Sequence, residues 1–345
     1  MSEPFQQTIT ELSAWLGSDL GRDRSWVVTF TPEDLAEIDH ALRGVKARGL
    51  SYQQVGAEDF PLPTLQSKLT RELEKIRTGR GFSVLRGLPV DKYSDEESLI
   101  AYWGIGRHLG DPVKQNIAGD LIGQIRDFGK KWGELSVRGY QTNGQLIFHT
   151  DYSDVVGLLC LRQPKSGGLS RIASSVTVHN EIIRHHPEYL PILYRGYRYI
   201  KREAVDSAQP VTENLPVYGY RDGYLSCRVI RERIDSAYRK LGTPLTGREL
   251  DALDYIAAVA NSERVRLDMD LLPGDMQFLN NYTVMHSRTA FEDGEKPEER
   301  RHLLRLWLSF HDHHRPLPED FPPANGYATP GQPPPPGAVA LGLAL

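Results

Sequence analysis

The sequence predicts an α+β protein: a mainly β core interrupted by helices, behind a helical N-terminal region. Three observations predict it. Amphipathic helical patterns fill residues 1 to 80. From about residue 120 short apolar runs recur, bounded by Gly, Pro, Asn or Ser. Strand signals resume at Leu271 after a long helical stretch, so one β core with an insert fits better than two separate domains.

Thr31-Pro32-Glu33-Asp34 offers an N-cap, a proline at N1 and two early acids, ahead of Leu35, Ile38, Leu42 and Val45 at helical spacing. Leu65 to Ile76 reads as a second helix. Gly81 to Gly87 is β-rich and glycine-bounded, hence a strand. Ser94 to Leu109 is helical, with Asp95, Glu96 and Glu97 in its first turn. Leu121 to Ile125, Leu146 to Thr150, Val155 to Leu161 and Leu169 to Ala173 read as strands, and Asn180 to Tyr194 and Arg231 to Ala260 mostly as helices. Leu272-Pro273-Gly274-Asp275 is a turn before the strand Met276 to Asn281, and Arg301 to Phe310 is the clearest strand. Residues 316 to 345 form a Pro/Gly-rich arm, with Pro333 to Pro336 at its centre. The expected organisation is a helical region over 1–80 packed on the core, a core over 81–315 with a helical insert at about 177–265, and the arm.

Composition narrows the function. Lys plus Arg is 41 and Asp plus Glu is 45, a net charge of −4, which gives no electrostatic reason to expect nucleic acid. Two cysteines, Cys160 and Cys227, exclude a disulfide framework and a CxxC metal site. No run of about 18 apolar residues suggests a membrane span. The N-terminus lacks the basic start and apolar run of a secretory signal. The expectation is a reduced, cytoplasmic protein with a small-molecule partner, no nucleic acid and no membrane; a homo-oligomer is left open. No strand–GxGxxG–helix unit, phosphate loop or nucleophile elbow is present. His185-His186 and His311-Asp312-His313-His314 read as surface histidines, and Lys130-Lys131 and Arg231-Glu232-Arg233 as solvated charge.

The chemistry gathers in three places. In His149-Thr150-Asp151 a strand would turn residues 149 and 151 to one face and Thr150 to the other. An imidazole and a carboxylate suit a borderline divalent metal, although a structural His–Asp hydrogen bond is the plainer reading of the tripeptide alone. His286 follows the Pro-Gly-Asp turn and an apolar strand. Two histidines and a carboxylate would occupy one face of an octahedral metal and leave three positions open, as in non-heme Fe(II) oxygenases; a zinc hydrolase could use similar ligands. In the strand at 301–308, Arg301, Leu303, Arg305 and Trp307 share one face. Two arginines there are costly to bury without anions. A guanidinium can hold a carboxylate through paired hydrogen bonds; a structural salt bridge to Glu292, Asp293 or Glu295 is the alternative.

With these residues in place, the sequence over roughly 80 to 315 resembles the taurine dioxygenase-like (TauD/TfdA) Fe(II)/2-oxoglutarate-dependent dioxygenases. The resemblance implies a double-stranded β-helix, or jelly-roll, fold. It implies that His149, Asp151 and His286 ligate Fe(II) and that Arg301 pairs with the distal carboxylate of 2-oxoglutarate. Gly167-Gly168-Leu169-Ser170 resembles a segment whose threonine touches the cosubstrate, with Ser170 keeping the hydroxyl. Arg305 and Gln145 match positions that contact substrate in some relatives, an anionic group in the case of Arg305. The acid at 151 speaks against halogenation, since halogenating relatives carry a small residue there. With O2 as the other cosubstrate, the implied reaction releases CO2 and succinate and removes hydrogen from a substrate carbon. Hydroxylation is the expected outcome; desaturation, cyclisation or dealkylation, or a jelly-roll binding protein without turnover, are the alternatives. The implied substrate is small and anionic or zwitterionic.

Overall fold

A computed structural model describes residues 3–116, 118–130, 139–201, 211–311, 315–324 and 326. Pro333 to Pro336, Lys131, the run 312–314 and parts of the insert and of the loop before Gln145 lie outside the described residues.

Two sheets face each other. The larger runs Val27–Thr29, Phe82–Arg86, Met276–Asn280, Val155–Arg162 and His302–Ser309, with Asp111–Pro112 and Ile122–Ile125 both pairing with the last. The smaller runs Arg266–Met269, Ser170–Ser174, Val284–Arg288 and Leu146–His149, antiparallel throughout. From residue 146 the chain passes back and forth between the two sheets, the insert joining two neighbouring strands of the smaller one, and this makes the core a jelly roll. Phe82, Val84, Val156, Leu279 and Trp307 of one sheet meet Ile172, Leu267 and Val284 of the other in a single apolar cluster. Each such side chain contributes about 1.5–3 kcal/mol by leaving water. Val155–Arg162 reads as a near-continuous apolar run because both of its faces are covered.

Helices cover the outer faces. Pro32–Ala47, Leu65–Arg77 and Asp95–Arg107 pack on the larger sheet, Ser175–His185 and Gly247–Ala260 on the smaller. The caps follow the sequence: Thr31 with Asp34, Ser94 with Glu97 and Thr246 with Glu249 each form a reciprocal capping box. The helical runs break where their residues demand it. Asn180 to Tyr194 divides at Pro187, which has no N–H to continue the ladder. Arg231 to Ala260 divides at Gly242, which takes φ +66 at the end of Arg231–Leu241. The first 80 residues hold helices but also the strand Val27–Thr29, which pairs in parallel with Phe82–Arg86. Among the described residues no helix is long and apolar enough to cross a membrane. Cys160 and Cys227 are separate buried thiols, each pushed up to about 12 by burial.

His179 is fully buried under the smaller sheet, its Nε2 3.1 Å from the Tyr194 hydroxyl, and burial lowers it to about 3. The unfolded chain binds that proton near pH 6.5, so stability is complete above about 6.5 and lost as pH falls. The expected loss from this group is about 2 kcal/mol between pH 6.5 and 5. Urea unfolding of the wild type and of His179→Gln should show a smaller pH slope in the variant.

Candidate metal centre and its cleft

His149 closes the Leu146–His149 strand and His286 lies in its neighbour, and the two are direct cross-strand partners. Their rings sit 4.3 Å apart. Asp151 falls just beyond the strand, in a turn whose backbone N–H donates to Asn281 Oδ1 at 2.9 Å. Thr150 faces away, exchanging hydrogen bonds with Val229. One ligand atom from each of His149, Asp151 and His286 lies within 4.8 Å of the other two. No other group of three metal-capable side chains occurs among the described residues. His185 and His186 pair with Glu181 and Glu188 on the surface instead.

The protonation states suit a metal. His149 Nδ1 lies 2.8 Å from the Ile147 carbonyl, so a proton there donates to it and leaves Nε2 as the ligand. Burial, reinforced by His149, lowers His286 to about 3 against the pull of Asp151, so its imidazole is neutral at pH 7. Burial alone would raise the Asp151 carboxyl. The Arg305 guanidinium, the two imidazoles and the Trp307 N–H outweigh it and bring the group to about 2. Two imidazoles and one carboxylate, set on one face with room opposite, fit Fe(II).

A cavity of about 340 Å³ opens in front of this face. Gln145, Ile147, Arg233, Arg305 and Trp307 line it with His149 and Asp151. Arg305 is held in place: its Nε donates to Gln115 Oε1 at 2.7 Å, Nη1 approaches Asp151 Oδ2 at 3.4 Å, and the rings of Tyr140 and Trp307 flank it at 4.9 and 4.7 Å. Trp307 Nε1 donates to the same Asp151 oxygen at 2.9 Å. The acids near 292–295 are not the partners of either guanidinium: Asp293 accepts only the backbone N–H of Arg301. Gln115, Asn281 and Tyr140 went unnoticed in the sequence, where nothing links them to residues more than a hundred positions away, or in a different strand.

Arg301 projects from the same face as Arg305 but lies outside the cavity, beside Gly168 and Leu303. Burial lowers its guanidinium to about 10. Its Nη1 is buried without a hydrogen-bond partner. Gly168 sits at φ +72, and a Cβ there would come within 3.1 Å of Arg301 Nε. Ser170 is buried at the start of Ser170–Ser174 in the smaller sheet, its hydroxyl 3.2 Å from Gln277 Oε1. Arg288 is buried two residues after His286.

The family model for the taurine catabolism dioxygenase TauD, TfdA family matches residues 46–307. The chain belongs to the TauD/TfdA family. Among its relatives, FR-33289 synthase of Streptomyces rubellomurinus (strain ATCC 31215) is 33% identical over 313 residues, 90% of this chain and 92% of the other. Taurine hydroxylase-like protein SAT17 of Stachybotrys chartarum (strain CBS 109288 / IBT 7711) is 31% identical over 307 residues, 85% and 77% of the two chains. An asparagine oxygenase, solved with Fe(II), 2S,3S-3-hydroxyasparagine and succinate, superposes with a TM-score of 0.62 at 21% identity, covering 82% of this chain and 93% of that one. The TauD/TfdA resemblance read from His149, Asp151, His286 and Arg301 holds, and with it the jelly-roll fold. This TauD/TfdA protein is an Fe(II)- and 2-oxoglutarate-dependent dioxygenase.

Proposed function

We propose that the protein hydroxylates an unactivated C–H bond of a small anionic or zwitterionic molecule, with release of succinate and CO2. The observation that carries this reading is the meeting of His149, Asp151 and His286 within 4.8 Å at the base of an arginine-lined cavity. In this reading the three side chains hold Fe(II), which supplies the oxidising chemistry when bound with 2-oxoglutarate and O2. Arg301 takes the distal carboxylate of 2-oxoglutarate, and the Ser170 hydroxyl supports it. Arg301's unpaired buried Nη1 supports that assignment, because such a donor is costly without an anion.

Arg305 and Gln145 bind substrate, with Arg233 facing the same cavity. Arg305 also lies close to Asp151, so an anion bound to it sits beside the metal ligands. The cavity suits a small molecule; Arg231, Arg233, Arg239 and Arg305 line it against Asp151, Glu232 and Asp235, and this cationic excess favours a carboxylate, sulfonate or zwitterionic head. The protein's part is to orient the target carbon and keep the cleft dry; no protein acid or base is required. In this reading residues 81–315 form the catalytic unit and 1–80 brace it. The free thiols fit a reduced, cytoplasmic setting.

Arg301→Ala is expected to raise the 2-oxoglutarate concentration needed for half-maximal turnover by about tenfold or more, the value of a lost charged hydrogen bond. An unchanged requirement would remove the anchor assignment. The function itself is tested by a metabolite screen that follows succinate release with Fe(II) present. The expected hit is a small acid that gains one oxygen atom per succinate formed. Succinate coupled only to cationic or neutral substrates would contradict the proposed class.

A further inference from the structure

Arg288 follows His286 by two residues on the Val284–Arg288 strand, so both side chains leave the strand on the same side. At strand spacing they start about 6.5 Å apart, comparable to the reach of a five-carbon diacid chelated at its keto end. Across the ladder Arg288 pairs with Ser170. Arg288 is 4% exposed and Arg301 5%, and both guanidiniums lie over the Phe291 ring, at 4.7 and 5.3 Å.

Arg288 Nη2 donates to the carbonyls of Thr142, at 3.0 Å, and Gly144. Its Nε and Nη1 are buried with no hydrogen-bond partner, as is Nη1 of Arg301. Asp127 and Asp293 reach Arg288 only through their charge. Two buried cations at one aromatic ring, with three unpaired donor groups, oppose each other and leave hydrogen bonds unmade. One carboxylate placed between them relieves both costs.

We propose that Arg288 is a second guanidinium for the distal carboxylate of 2-oxoglutarate, shared with Arg301, and that it ties the 139–145 loop to the bound cosubstrate. This rests on the dioxygenase reading above. The loop matters because its Tyr140 stacks on Arg305 and its Asn143 carbonyl accepts from the Phe291 N–H at 3.0 Å. Arg288 is therefore a positioning residue for the cosubstrate, and it links that site to one wall of the substrate cavity.

The test is an anaerobic titration of the Fe(II)-loaded protein, read by the visible charge-transfer band that a 2-oxo acid gives on chelating iron. Wild type, Arg288→Gln and Arg288→Lys are each titrated with 2-oxoglutarate and with 2-oxopentanoate, which keeps the keto-acid end but carries a methyl group in place of the distal carboxylate. Arg288→Gln is expected to weaken 2-oxoglutarate about tenfold or more and 2-oxopentanoate less than about twofold. Arg288→Lys should fall between, since it keeps the charge but loses the fork. Equal weakening of both acids would make Arg288 a structural residue and overturn the proposal, as would unchanged 2-oxoglutarate affinity. A wild type that gives no band with either acid would remove the dioxygenase reading, and this inference with it.

Discussion

Replacing His286 with alanine is expected to remove Fe(II) binding and succinate formation together. The side chain is one of the three ligands brought together among the described residues, and it is neutral at pH 7 because burial lowers it to about 3, so metal binding displaces no proton from it. Losing a residue that merely orients a ligand already costs about 10- to 100-fold in affinity or activity. Loss of a ligand itself should exceed that, leaving turnover at least about 100-fold below the wild type. His286 packs against His149 with rings 4.3 Å apart, so the variant also opens a small space beside a partner that the surrounding strands continue to hold. The fold should survive, and metal content by elemental analysis, taken with far-UV circular dichroism, separates loss of iron from loss of structure. Full iron content in His286→Ala would show that the metal lies elsewhere.

Asp275→Ala is expected to destabilise the fold by about 3 kcal/mol, with the midpoint of chemical unfolding as the measurement. Asp275 is fully buried at the end of the Leu272–Asp275 turn. Its carboxylate accepts from Arg86 Nε and Nη2 at 2.8 and 2.7 Å and from the Leu272 N–H at 2.9 Å. Alanine would strand the Arg86 guanidinium, raised in pKa by that paired hydrogen bond, and an amide besides. Arg86 keeps 30% side-chain exposure, so water recovers part of the loss and the full cost of a sealed ion pair is not reached. The turn also allows Gly274 φ +86, where a Cβ would lie 2.1 Å from the Leu88 carbonyl oxygen. The turn launches Met276–Asn280, and Asn281, one residue beyond that strand, anchors the Asp151 backbone. A stability change under about 1 kcal/mol would mean that the ion pair is replaced by water without loss.

Much of this was legible because local chemistry and tertiary structure agree. The capping residues Thr31, Ser94 and the Pro-Gly-Asp turn act through neighbours three or four positions away, and their elements begin where the residues say. Val27–Thr29 was missed because a three-residue strand carries too little periodicity to read. His149 and His286 were legible as types; their union is a cross-strand pairing that no local pattern encodes. Strand alternation placed Asp151 beside His149, but a turn held by Asn281 brings it there. The salt-bridge alternative for Arg305 names nearby acids in the chain, whereas its carboxylate partner is Asp151, just beyond the Leu146–His149 strand. Gln115 gave no signal because its partner Arg305 lies far along the chain, and Arg288 gave none because a buried donor lacking an acceptor is visible only once the side chains around it are in place.

The most direct measurement is an anaerobic equilibrium titration of the metal-free protein with Fe(II), repeated with 2-oxoglutarate present. The expected result is one ferrous ion per chain, a weak visible band that needs both additions, and loss of that band in His149→Ala. Saturation with no band, or an undiminished band in His149→Ala, would contradict the placement of iron on these three side chains.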